Sequence, residues 1–230
     1  MTLFEVEYEL IEFQGCRVHK TLLHDLTNLV ESAASAGFEL RLASGFRSIE
    51  RQCQIWNAKV RGERPVLDDQ EQVLDVNKLT SSELVFAILR WSALPGTSRH
   101  HWGTDIDVYD RAALPQGASV QLTLAECCGP FAPFHAWLDA RLADPSATFF
   151  RPYVRPSGGV APEPWHLSFA PAAAKWQKIL EKTQLLELVM SLDIELKDVV
   201  ARHFDEIYER FIWVPWNLYP AKWRNDVSDF

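Results

Sequence analysis

The chain has 230 residues, of which 47% are hydrophobic and 23% charged, and its formal net charge is −8. That length suits one well-cored domain with a small appendage, and the negative balance argues against nucleic acid as a partner. No stretch reaches the roughly 18 apolar residues that would span a bilayer.

The N-terminus, MTLFEVEYELIEFQGCRVHK, has no basic region leading into an apolar core and no small-residue cleavage site. The expectation is therefore a cytoplasmic protein, with a periplasmic one as the alternative if an export segment has been removed. Residues 3–9 alternate apolar and acidic, as a half-buried strand does. Cys16, Cys53, Cys127 and Cys128 form no C-x-x-C pair and read as reduced thiols. Residues 20–36 read as an amphipathic helix stopped by Gly37. A strand over 38–48 enters a glycine turn, and 48–60 reads as a helix capped by Ser48. Residues 61–80 are polar and irregular. Residues 81–94 form a second strong helix pattern, opened by a serine cap with Glu83 close behind and ended before Pro95. GTDIDVYD (103–110) reads as a strand, 131–143 as a helix, and 149–154 and 165–169 as short strands.

From about residue 171 helical spacing dominates, with Ser191 or Asp193 available to cap a second helix within 182–213. An aromatic tail carries Trp213, Trp216 and Trp223, either as packing or as a stacking surface. Strands and helices mingle without a βαβ repeat. This predicts an α+β fold with a small antiparallel sheet flanked by helices, residues 1–170 forming the catalytic part and 171–230 a helical extension packed on it.

The chemistry concentrates in PGTSRHHWGTDIDVYD, residues 95–110. On a strand, Asp105, Asp107 and Tyr109 share one face and Ile106 and Val108 the other. Two carboxylates on one face require hydrogen bonds, a basic side chain or a metal ion. If WHLSF (165–169) pairs antiparallel with this strand, His166 lies beside Asp107, and His100 reaches the same place from the preceding loop. Two imidazoles and a carboxylate with a fourth position open make the pattern of a catalytic zinc site. Glu163 stands between Pro162 and Pro164. Pro164 cannot donate to a sheet ladder, so Glu163 falls outside the strand, free to act as a general base.

Ser98-x-His100-x-x-Gly103-x-x-x-Asp107, with Glu163-x-Trp165-His166 downstream and Ser44-Gly45-Phe46-Arg47-Ser48 plus Gln52 upstream, resembles the zinc D-Ala-D-Ala peptidases, the VanY-type carboxypeptidases and VanX-type dipeptidases. These share a fold with the hedgehog signalling domain. The resemblance covers residues 38–170. It implies that His100, Asp107 and His166 bind Zn²⁺, that Glu163 is the catalytic base, that Arg47 stabilises the oxyanion, and that Ser98 and Gln52 line the substrate cleft. The substrate it implies is a small peptide ending in D-alanine, such as a peptidoglycan stem peptide or fragment.

Asp105 stands where the family has a small residue. It can pair with an arginine, orient a ligand histidine from behind, or favour a cationic substrate group; the second role ranks first, and the third keeps Asp105 among the substrate-binding candidates. His101, next to a ligand, points elsewhere. Two other readings stay open: an L-Ala-D-Glu-type peptidoglycan endopeptidase, and a non-catalytic zinc-binding module, against which an intact Glu163 argues.

Overall fold

The computed structural model describes residues 9–154 and 158–224; the strand expected over 3–9 lies almost wholly outside them. The described chain opens with a hairpin, β1 (Leu10–Phe13) and β2 (Cys16–His19), paired antiparallel. Its two-residue loop, Gln14-Gly15, has both φ angles positive, 51° and 79°, which matches the right-handed twist of the strands it joins. After a 3₁₀ turn at Lys20–Leu22 comes α1 (Leu23–Ser35), which buries Leu26, Leu29 and Ala33. It stops before Gly37, whose φ of +90° suits glycine.

The next elements are β3 (Leu40–Ser44) and α2 (Ile49–Val60), the latter capped by the Ser48 hydroxyl accepting from the Arg51 amide. Residues 61–80 hold an isolated Leu67–Val73 bridge and a 3₁₀ turn at Val76–Lys78. Helix α3 (Ser81–Trp91) starts at the first serine, and its cap is not a serine but Thr80, one residue earlier, in a reciprocal capping box with Glu83. Then follow β4 (Asp105–Asp110), α4 (Leu124–Cys128), α5 (Ala132–Leu142), β5 (Phe149–Phe150) and β6 (His166–Phe169).

The main sheet has the order β3-β4-β6-β5 and is antiparallel throughout. One face carries Leu40, Leu42, Ile106, Val108 and Leu167 against α1 and α5, in a core with Leu26, Leu29, Phe134 and Leu138. Every one of these is at most 8% exposed, so each contributes on the order of 1.5–3 kcal/mol of burial. The opposite face carries Asp105, Asp107, His166 and Ser168.

The C-terminal part forms α6 (Ala170–Ile179), α7 (Lys182–Ser191), α8 (Lys197–Arg202) and α9 (Phe204–Ile207), followed by a π turn at Tyr208–Ile212. Helix α8 starts from Leu196 in the left-handed region with no side-chain cap, so neither Ser191 nor Asp193 caps it. Helices α7 to α9 share a core with α2 and α3, in which Trp56, Val85 and Ile88 meet Leu185, Val189, Phe204 and Ile207. Trp56 is wholly buried, and its indole N–H donates to Glu195 O at 3.0 Å. The aromatic tail packs too: Tyr219 stacks on Phe150 and Trp216 and joins Trp102 and Trp176 in a third cluster. Among the described residues no helix is long and apolar enough to cross a membrane, and all four cysteines are free thiols.

Candidate metal centre

Strand register sets the centre. Asp107 pairs with His166 and Asp105 with Ser168 across β4 and β6, while a register irregularity in β3 brings Ser44 opposite Asp107. Just before β4, residues Arg99–Trp102 form a 3₁₀ turn that ends on Gly103 at φ +67°. A Cβ there would sit 2.7 Å from Leu10 and 3.1 Å from the His19 amide nitrogen, so only glycine lets the turn close against the hairpin. The turn delivers His100 to the site. Its Nδ1 donates to Gly45 O at 2.8 Å, which leaves Nε2 as a lone pair facing Asp107 Oδ2 at 3.5 Å. Gly45 has its own constraint: a Cβ would lie 2.4 Å from Arg17 O.

His166 is oriented in the opposite sense. Its Nε2 donates to Asp105 Oδ2 at 2.9 Å, and its Nδ1 faces Asp107 Oδ1 at 3.2 Å. The two rings stand nearly perpendicular, centroids 4.9 Å apart. One donor atom each from His100, Asp107 and His166 lies within 4.8 Å of the others, and all three side chains are buried. Asp107 Oδ1 is buried yet makes no hydrogen bond. A buried carboxylate oxygen without a hydrogen bond, facing two imidazole nitrogens, is the arrangement a divalent cation satisfies, and a nitrogen–nitrogen–oxygen set suits zinc.

Electrostatics agree. Burial lowers His100 to about 4, so it is neutral and ready to coordinate. Burial also works against a charged His166, but the carboxylates of Asp105 and Asp107 overcome it and raise the imidazole to about 10. Without a metal, His166 is thus an imidazolium between two carboxylates, hydrogen-bonded to Asp105 and ion-paired with Asp107. Burial would raise Asp107, but His100, His166 and Arg47 outweigh it and hold that carboxyl below its ordinary value.

Glu163 stands beside this group without joining it. The His166 amide donates to Glu163 O at 3.0 Å, closing a turn with Pro164 at its first corner. The turn places Glu163 Oε2 3.5 Å from His166 Nδ1. Burial raises its carboxyl to about 7, with His166 and Arg47 pulling the other way. Arg47 precedes α2 and donates to Gln52 Oε1 at 3.0 Å and Ser44 Oγ at 3.3 Å. Asp107, His100, His166, Glu163, Arg47 and Ser98 all line one cleft of about 580 Å³.

Two sequence-derived substrate candidates are elsewhere. Gln52 is 0% exposed, donates to Ala93 O at 2.7 Å and accepts from Arg47, so it lies under Arg47 and holds it. Asp105 is also 0% exposed. It lies behind His166, where Arg99 Nε donates to Oδ2 at 2.9 Å and Ser168 Oγ to Oδ1 at 2.8 Å. In both cases the side chain is taken up by a neighbouring arginine, cleft-lining Arg47 for Gln52 and buried Arg99 for Asp105.

His101 turns away as expected, with Nδ1 donating to Arg47 O at 2.6 Å and Nε2 accepting from the Gly96 amide at 3.2 Å.

Sequence reasoning missed Arg99, Tyr219, Gln177 and Tyr153. Arg99 is 3% exposed and also donates to Ser168, to Gln177 Oε1 and to Tyr219 O–H. Its six-residue spacing from Asp105 was a usable signal. Tyr153, whose ring meets His166 edge-on at 5.0 Å, left none.

A small antiparallel sheet that presents two histidines and a carboxylate to one cleft, with a free acid beside them, is the architecture of a metal-dependent hydrolase. More narrowly, the chain belongs to the VanY D-alanyl-D-alanine carboxypeptidase family, whose model matches residues 15–172. An uncharacterized protein of Haemophilus influenzae is 54% identical over 66 residues, 29% of this chain and 45% of that protein; the chain thus spans less than half of that relative. A second from the same organism is 30% identical over 123 residues, 52% of this chain and 92% of that protein.

A solved structure of a mutant vancomycin-resistance D,D-pentapeptidase VanY in complex with Zn(II) superposes with a TM-score of 0.50 at 26% identity, covering 73% of this chain and 82% of that one. VanYB in complex with D-alanine-D-alanine shares the fold, with a TM-score of 0.51 at 23% identity over 80% of this chain and 88% of that one.

Proposed function

We propose that this protein is a zinc-dependent peptidase that hydrolyses a peptide bond in small D-amino-acid-containing peptides, as a D-alanyl-D-alanine carboxypeptidase or dipeptidase. The observation that carries the reading is the convergence of His100 Nε2, His166 Nδ1 and Asp107 in one cleft with Glu163 and Arg47. Family membership and the Zn(II) complex of the related VanY support it.

His100, Asp107 and His166 would hold Zn²⁺, which supplies Lewis acidity and makes a water molecule acidic near neutral pH. Glu163, raised to about 7 by burial, takes a proton from the attacking water and passes it to the departing amine. A base whose pKa lies near the working pH serves both steps. The Arg47 guanidinium, held by Gln52 and Ser44, faces the developing oxyanion and neutralises it. Ser98, in the same cleft, offers a hydroxyl to the bound peptide. Asp105 fixes the tautomer of His166, and Arg99 keeps Asp105 ionised.

The test is a product screen with zinc-loaded protein on D-Ala-D-Ala, a pentapeptide stem and an L-Ala-D-Glu peptide, each with and without chelator. Chelator-sensitive release of D-alanine from either of the first two is expected. Zinc-loaded protein that releases none overturns the reading, and cleavage of the third peptide alone transfers it to an endopeptidase.

A further inference from the structure

The cleft continues beyond the metal centre along one side of α2. Arg47, just before the helix, is followed by Arg51, Ile55 and Lys59 at four-residue intervals, and all line the cleft with Arg64. Four cations line this wall, and Asp107 and Glu163 are the two acids in the lining. Arg99 also borders it, but Asp105 neutralises Arg99. That concentration of positive charge sits in a chain of net charge −8.

Among the described residues, none of the four is paired with an acid. Arg47 and Arg51 donate only to neutral groups, Arg51 to Gln54 Oε1 at 3.0 Å. Among the described residues, the side chains of Lys59 and Arg64 make no hydrogen bond or ion pair. Lys59 is half-buried. Burial, then the neighbouring Arg64, lowers its ammonium to about 8, while Glu163 pulls the other way. Cations gathered along one wall without a counter-charge, two of them half-buried and two exposed, repel one another in the free protein, and an anion relieves them.

We propose that this wall reads a carboxylate on the substrate: the cleft takes an anionic peptide, and Lys59 and Arg64 hold a side-chain carboxylate several residues from the bond that is cut. The inference rests on the peptidase reading above and specifies its substrate class. Twelve positions separate Arg47, at the developing oxyanion, from Lys59, a rise of about 18 Å at helical spacing that the reach of the two side chains shortens. An extended peptide covers roughly 3.3 Å per residue. With long side chains on both partners, the recognised acid lies roughly two to four residues from the scissile bond.

The test uses zinc-loaded protein and two N-acetylated peptides of equal length ending in D-Ala-D-Ala. One carries glutamate at the two to four positions before the bond, the other glutamine. The expected kcat/KM favours the glutamate peptide by about tenfold, and the preference shrinks with added salt. The ratio falls to about one in Lys59→Met/Arg64→Gln. Because both peptides are compared in one variant, any effect on Glu163 cancels. The single Arg64→Gln variant, at an exposed position, reports a partial loss if the double variant does not fold.

Affinities of the same peptides for zinc-loaded Glu163→Gln are measured by calorimetry. Tighter binding of the glutamate peptide without any turnover by the native chain supports the groove and defeats the peptidase reading. Equal cleavage and equal binding of the two overturns the groove and leaves that reading intact. A preference that survives unchanged in the double variant overturns the assignment to Lys59 and Arg64.

Discussion

The 2.9 Å hydrogen bond from His166 Nε2 to Asp105 Oδ2 decides which nitrogen of that imidazole faces the cleft. Asp105 holds this position because Arg99 donates to the same oxygen at 2.9 Å. The crowded carboxylates of β4 are thus satisfied separately: a buried arginine serves Asp105, and the metal proposed above would serve Asp107.

Breaking that support weakens metal binding. Asp105→Asn should loosen zinc by about 10- to 100-fold and destabilise the fold by about 3–5 kcal/mol, because Arg99 is left buried and unpaired. Tyr219→Phe, which removes one of the groups Arg99 touches, should lower stability by only about 0.5–1.5 kcal/mol and leave zinc affinity within a few-fold. Competition with a chromogenic chelator and denaturant melts measure both. Equal zinc affinity for Asp105→Asn and the native chain contradicts the role given to Asp105.

Zinc uptake should release protons. The folded-state pKa of His166 is raised, so its stabilisation of the metal-free protein is complete below the ordinary value of 6.5 and is lost as pH rises through about 10. His100, near 4, has no proton to give. About one proton per zinc is therefore expected between pH 7.5 and 8.5, with apparent affinity rising about tenfold per pH unit. Calorimetry in buffers of different ionisation heat counts them, and no release at pH 8 contradicts the bridging imidazolium.

Glu163→Gln should lower kcat by at least about 10²-fold while a full complement of zinc remains bound. The two readouts separate proton transfer from coordination. A variant that loses its metal along with its activity makes Glu163 a ligand instead.

Arg47 and Gln52 should behave as a pair. Arg47→Met is expected to reduce kcat by about 10²–10³-fold if it stabilises the oxyanion. Gln52→Met should reduce it less, with a stability loss of about 1–3 kcal/mol from the unsatisfied Ala93 carbonyl and Arg47. A double-mutant cycle that finds the two effects fully additive removes the link between them.

Much of this was legible in the sequence because it follows from local rules. Strand alternation puts Asp105 and Asp107 on one face, and pairing puts His166 against Asp107. Ser48 capped its helix as its position implied. The failures arise where a side chain answers to distant neighbours. The hairpin at Leu10–His19 went unseen because Gln14-Gly15 lacks the usual asparagine or aspartate turn signal. Thr80 displaced the serines as cap because only Thr80 stands three residues before Glu83. Nothing local says that Tyr219 returns to meet Arg99, 120 residues earlier. The C-terminal helices pack on the rest of the chain, and α7 to α9 complete the core over α2 and α3.

The most direct measurement is X-ray absorption at the zinc edge on the loaded protein, together with metal analysis of His166→Ala. The account predicts one zinc per chain, two imidazole nitrogens near 2.0–2.1 Å, otherwise oxygen neighbours, and no sulfur, with binding weakened by orders of magnitude in the variant. Sulfur in the coordination shell, or full zinc occupancy without His166, contradicts it.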